Sequence, residues 1–249
     1  MGTKIKGVVY SVVVMLVMTA GVCCARELDS TVRVALDKKL AEYFAAIERE
    51  GVEVQKGECD FLIETCTDSL MRQHVTLTIY DHYRDSKVMG SEAVAIHVFD
   101  RWFRSGIIRM RSDMDLMSAQ VYAEFNRSSL IGKKAPSVIM ESFDGNMVDI
   151  YGLDDTSGRY RIMYFYDTDC SKCKIQTILL RNVLEDNDFP VNLVAVYAGD
   201  DRASWEEYAS RQLSIESDEV RTVHLWDPEL DSDFQRKYGV LQTPRIFLI

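Results

Sequence analysis

The chain has 249 residues, 47% of them hydrophobic and 27% charged, a balance that excludes a disordered or fibrous protein and leaves room for two modest domains. Its formal net charge of −10 at pH 7 argues against nucleic acid and anionic membrane surfaces as partners. Six cysteines in this length are too few for a disulfide scaffold, so each is judged by its position.

The chain opens with Lys4 and Lys6, continues through the uncharged run Val8 to Ala20, and reaches small residues up to Ala25 before Arg26, Glu27 and Asp29. That order reads as a secretory leader, residues 1–25, cleaved after Ala25. The run is shorter than the ~20 apolar residues that span a bilayer. Export places the mature protein in the periplasm or cell envelope. The alternative is a lipoprotein anchored to the membrane through Cys23 or Cys24, against which stand Val22 and Cys23 as poor small residues ahead of a lipidated cysteine.

From Ser30 the apolar residues Leu36, Leu40, Tyr43, Phe44 and Ile47 recur at helical spacing, with Ser30 as cap and Gly51 as stop. Further helices are predicted around Cys59 to Thr65, Asp68 to Tyr83, Ser91 to Arg104 and Asp113 to Phe125. No run there alternates as a strand, and proline is absent from Met1 to Lys134, so residues 26–131 read as an all-α domain whose core includes Tyr80, Tyr83, Phe99, Trp102 and Phe103. Leu130 to Pro136 breaks the helical pattern and opens a second domain, 132–249. There Arg161 to Tyr166 and Val191 to Tyr197 read as buried strands, each followed by a helical pattern, Cys170 to Leu184 (with Ile175, Ile178, Leu179 and Leu184) and Ala203 to Leu213. Pro244 to Ile249 is a further strand, so strands alternate with helices as in an α/β sheet.

The pair Cys170 and Cys173, separated by Ser171 and Lys172, falls where a buried strand turns into a helix. A thiol at a helix N-terminus faces unpaired N–H groups and the positive end of the dipole, which favours the thiolate. Lys172 and Lys174 act in the same direction, whereas Asp167 and Asp169 oppose it. The spacing lets Cys173 reach Cys170 within one turn, so Cys170 can attack a disulfide and Cys173 can resolve the mixed intermediate.

Three separated segments carry a family resemblance. Gly132-Lys133-Lys134-Ala135-Pro136, Tyr164-Phe165-Tyr166-Asp167-Thr168-Asp169-Cys170-Ser171-Lys172-Cys173-Lys174 and Tyr238-Gly239-Val240-Leu241-Gln242-Thr243-Pro244-Arg245 resemble the entry segment, active-site turn and cis-proline loop of the thioredoxin superfamily, in its exported TlpA and ResA type branch. The resemblance covers Leu130 to Ile249. It implies a thioredoxin-like α/β fold behind the all-α domain, and thiol-disulfide oxidoreductase activity with Cys170 and Cys173 as the catalytic, redox-active pair. It also implies a cis Thr243-Pro244 peptide whose backbone binds extended substrate. Protein thiols and disulfides would be the substrates, an upstream thiol protein the electron donor, and no bound cofactor is expected. Members place a buried acid six residues before or six after the first cysteine; those positions here are Tyr164 and Gln176, neither a carboxylate. Asp169 replaces the usual aromatic residue, and the chain stops at Ile249 within what the family pattern makes a central strand, which suggests truncation. The segments Cys59-Asp60-Phe61-Leu62-Ile63, His82 to Gly90 and Glu92 to His97 resemble an uncharacterised helical domain found before thioredoxin-like domains in exported proteins of Gram-negative anaerobes.

Other readings compete at each site. Cys170 and Cys173 could be a structural disulfide, or a relic on a domain kept as a non-catalytic binding or assembly module. A metal would need more ligands than one C-x-x-C pair supplies. A peroxidatic cysteine would want a threonine three positions earlier, but position 167 is aspartate. Cys59 and Cys66 stand two turns apart on one helix face, ~10 Å between Cα atoms, and read as buried free thiols. His74, His82 and His97 read as packing or surface residues.

Overall fold

A computed structural model of the chain describes residues 28–153 and 159–249. The leader, its cleavage site and lipidation at Cys23 or Cys24 lie outside these residues. The chain divides into two compact units, Met1–Gly132 and Lys133–Ile249. Among the described residues no helix is long and apolar enough to cross a membrane.

The first unit is helical: α1 Ser30–Ile47, α2 Val52–Thr65, α3 Ser69–Asp85, α4 Ser91–Val98 and α5 Asp113–Asn126. Asp29, not Ser30, caps α1, its carboxylate accepting from the N–H groups of Thr31 and Val32, because a carboxylate one residue earlier reaches two orphan donors at once. Asp68 caps α3 and Ser112 caps α5, each side chain accepting from one N–H, that of Met71 and that of Asp115. The helix predicted around Cys59 begins earlier, at Val52, and runs through Gly57; packing of Gln55, Cys59, Leu62 and Ile63 outweighs the modest propensity cost of one glycine. At the end of α4 the hydrogen bonding loosens into a π-helical turn, Phe99–Phe103, and Phe99, Trp102 and Phe103 there enter one core with Leu40, Tyr43, Val75, Tyr80 and Tyr83.

Polar side chains tie this unit together. Asp60 on α2 accepts from Trp102 Nε1 at 2.8 Å, lies 2.9 Å from His97 Nε2 and pairs with Arg101 at 3.2 Å. His74 meets Asp37 at 2.6 Å, and His82 stacks on Phe44 at 4.2 Å between ring centres. The three histidines thus have three separate local partners, and no group of metal-ligating side chains occurs among the described residues. Cys59 and Cys66 are free and fully buried, and burial pushes both thiols up to about 12.

The second unit is a six-stranded sheet with helices on both faces. Its strands are β1 Ile139–Ser142, β2 Met147–Asp149, β3 Tyr160–Tyr166, β4 Val191–Tyr197, β5 Val220–Trp226 and β6 Arg245–Leu248, in the spatial order β2-β1-β5-β4-β3-β6. Parallel pairing joins β3 to β4 and β4 to β5, while β1 and β6 run antiparallel to their neighbours. Three helices, α6 Ser171–Glu185, α7 Arg202–Arg211 and α8 Phe234–Tyr238, cover the sheet. Alternation along β3 sends Tyr164 and Tyr166 into a core with Leu180, Leu184, Trp205 and Tyr208, and Met163 and Phe165 into the opposite core with Phe234 and Tyr238. A strand buried on both faces reads as an apolar run, which is why β3 and β4 are plain in the sequence.

Two features depart from the sequence-based expectation. The buried face of α6 is Cys173, Thr177, Leu180 and Leu184, whereas Ile175, Ile178 and Leu179 are exposed by 63, 48 and 53%. The helix carries two apolar stripes, and the one in line with Cys173 packs on the sheet. The hairpin of β1 and β2, turning at Gly145 with φ +78°, and strand β5 are additional to the strands predicted; β1 and β2 have only four and three residues, too few to show a period.

Candidate active site

Strand β3 ends at Tyr166, and a tight turn carries the chain into α6. Asp167 shapes that turn by accepting from the Asp169 N–H at 2.9 Å, an aspartate bonding its own backbone two residues on. Cys170 follows as the N-cap of α6, and its sulfur accepts from the Cys173 N–H at 3.2 Å. A thiol here does the work usually done by a serine or aspartate oxygen, taking one of the four donors that a helix leaves unsatisfied at its start.

The same sulfur lies 3.4 Å from the carbonyl oxygen of Thr243, to which its S–H donates. Thr243 precedes Pro244 across a cis peptide bond, in the loop that leads from α8 into β6. Gly239 ends α8 with φ +62°, a left-handed conformation that residues with a Cβ resist, and so turns the chain towards this loop. Cys170, Cys173 and Thr243 therefore meet at one place, with Pro244 next in the chain, although 73 residues separate Cys170 from Thr243.

The two thiols differ in environment. Cys170 is partly exposed, whereas Cys173 is fully buried against the sheet. What burial Cys170 suffers raises its thiol, but hydrogen bonds from Cys173, from Thr243 and from the Lys172 backbone outweigh it and hold the group below the ordinary cysteine value. Cys173 moves the other way, pushed up to about 11 by burial and by its hydrogen bond to Cys170. Both are free thiols. A partly exposed thiol whose thiolate is favoured, three residues from a buried thiol whose ionisation is opposed, is chemically able to attack a disulfide and to have the mixed intermediate resolved by its neighbour.

Beneath Cys173 the site is built from hydroxyls. The Tyr164 hydroxyl donates to the Cys173 carbonyl at 3.0 Å and lies 2.8 Å from Thr177 Oγ1, on which the Tyr208 hydroxyl donates at 3.0 Å. Tyr164 is thus where the resemblance looks for an acid, and it is a buried phenol whose ionisation burial opposes. Gln176 is partly exposed. Thr177 and Tyr208 escape the sequence reading. The available signal is a polar residue four after Cys173 on the buried face of an apolar helix.

Residues 131–249 match the family model described as AhpC/TSA family. Among solved structures, a thioredoxin-like protein from Bacteroides caccae superposes with TM-score 0.64 at 13% identity over 87% of this chain and 76% of that chain. The thioredoxin domain of a thiol-disulfide oxidoreductase from Bacteroides vulgatus aligns with TM-score 0.37 at 19% identity, over 47% of this chain and 79% of that one. A thiol-disulfide oxidoreductase from Bacteroides fragilis gives 0.38 at 19%, over 47% and 82%. No curated protein matches the chain. The sheet order, the helices on both faces, the family-model match and the Bacteroides caccae superposition give residues 131–249 a thioredoxin-like fold that matches the AhpC/TSA family model, following a helical unit in the chain.

Proposed function

We propose that this chain exchanges dithiol and disulfide at Cys170 and Cys173 with protein substrates. The observation that carries the reading is the placement of Cys170. The residue is partly exposed, and its sulfur accepts from the first turn of α6 and sits 3.4 Å from Thr243 O, with Cys173 buried three residues on. The Cys170 thiolate attacks one sulfur of a substrate disulfide, a new S–S bond forms to Cys170, and the other substrate sulfur leaves as thiolate. Cys173 then loses its proton and attacks Cys170, which releases the reduced substrate and leaves the pair oxidised by two electrons. An upstream thiol protein returns those electrons, and the run of backbone at Thr243 and Pro244 receives the substrate in extended form.

The apolar leader supports action in the cell envelope. A peroxidase role, which the AhpC/TSA family name invites, finds no support at position 167, where Asp167 is engaged with the Asp169 N–H. The test is a Cys173→Ala variant incubated with a disulfide-bonded protein such as oxidised insulin. It should accumulate a covalent adduct through Cys170 that dithiothreitol releases, and Cys170→Ala should accumulate none. If neither variant forms an adduct, the fold serves as a binding module.

A further inference from the structure

Three hydroxyls converge under the resolving thiol from three elements: Tyr164 on β3, Thr177 on α6 and Tyr208 on α7. Their relative exposures are 0, 1 and 9%, so water satisfies none of them fully. Counting protons orders the chain. Each hydroxyl owns one hydrogen; Tyr208 gives its own to Thr177 and Tyr164 gives its own to the Cys173 carbonyl, so the bond between Thr177 and Tyr164 must use the Thr177 hydrogen. Every donor has one acceptor, and the run ends on the backbone oxygen of Cys173.

Phenylalanine and valine would fill the same apolar space without polar atoms to bury, and buried hydroxyls cost free energy unless they are paired. The bonds offset that cost only while all three hold, which ties the first turn of α6 to the strand and to the neighbouring helix. Among the described residues no carboxylate bonds to these hydroxyls. We infer that Tyr164, Thr177 and Tyr208 are positioning residues for the resolving step, an uncharged hydroxyl chain that holds the turn of Cys173 and aims its sulfur at Cys170. The inference rests on the exchange reading proposed above. In that step the Cys173 thiolate forms the bond to Cys170, the bond from Cys170 to the substrate sulfur breaks, the substrate departs as thiolate and the Cys173 proton passes to solvent.

The test uses the full chain with Cys23 and Cys24 replaced by serine and 5,5′-dithiobis(2-nitrobenzoate) as disulfide, followed by stopped flow. The first thionitrobenzoate released reports attack by Cys170; the second reports resolution by Cys173. Tyr164→Phe and Thr177→Val should slow the second release about ten-fold and leave the first within about two-fold, because a small misplacement of a reacting atom costs rate steeply. Tyr208→Phe, one link further away, should slow it less, and Thr177→Ser, which keeps the hydroxyl, should restore it. A second release at the wild-type rate in folded Thr177→Val overturns the inference, as does equal slowing of both releases. A wild-type chain that gives no first release overturns the exchange reading instead.

Discussion

In the proposed exchange the chemistry begins at the Cys170 sulfur, and the pH behaviour of that thiol follows from its partners. Its folded-state ionisation lies below the ordinary cysteine value, so thiolate persists to lower pH than in the unfolded chain. The reduced protein gains stability from Cys170 above the unfolded value and loses it as pH falls through the folded one. Iodoacetamide should therefore label Cys170 with a midpoint below the ~8.5 of a free cysteine, and the midpoint should return to that value in denaturant. A native midpoint above it contradicts the geometry at the start of α6. The pair stands out in the sequence through its place where a buried strand turns into a helix, together with the entry segment and the Thr243-Pro244 that follow the family pattern, rather than through its spacing. Thr177 and Tyr208 do not, since their role depends on a tyrosine from another strand and on which stripe of α6 turns inward.

Elements follow the same logic. Strands β3 and β4 stand out in the sequence because both their faces are buried, while β1 and β2 are too short and β5 carries exposed Arg221 amid partly buried neighbours. Helix α6 is legible as a helix from Cys170 to Leu184, but of its four apolar residues Ile175, Ile178, Leu179 and Leu184 only Leu184 packs on the sheet, the other three forming an exposed stripe. Substitutions separate the two stripes. Leu180→Ala should cost about 2–4 kcal/mol, as a buried leucine truncated in a packed core does, whereas Ile178→Lys should fall within about 0.5 kcal/mol of the parent. Urea denaturation of the two variants measures both. Equal losses would mean that the exposed stripe is packed after all.

At the scale of the molecule, each unit owns its core: one cluster among α1 to α5 and two on opposite faces of the sheet. The change from helical to strand-like texture near Pro136 showed in the sequence, and the compact units part between Gly132 and Lys133. Lys133 and Lys134 are exposed there, so brief trypsin treatment should cut at this connection and leave two protease-resistant fragments on a denaturing gel. In the native chain Cys59 and Cys66 should stay unlabelled by maleimide and react only in denaturant, as thiols buried in the helical core with their ionisation pushed up to about 12. Rapid labelling of either would contradict the packing of α2 against α3 and α4.

Equilibrium titration of Cys170 and Cys173 in the full chain decides whether the two form a working redox pair. The protein is held at defined ratios of reduced to oxidised dithiothreitol or glutathione, quenched with an alkylating reagent, and the two cysteines are read by mass. A working pair gives a single reversible two-electron transition that links Cys170 to Cys173; a potential below about −250 mV marks a reductant and one above about −200 mV an oxidant or isomerase. A pair that stays reduced, or stays oxidised, across the whole range contradicts the proposed exchange.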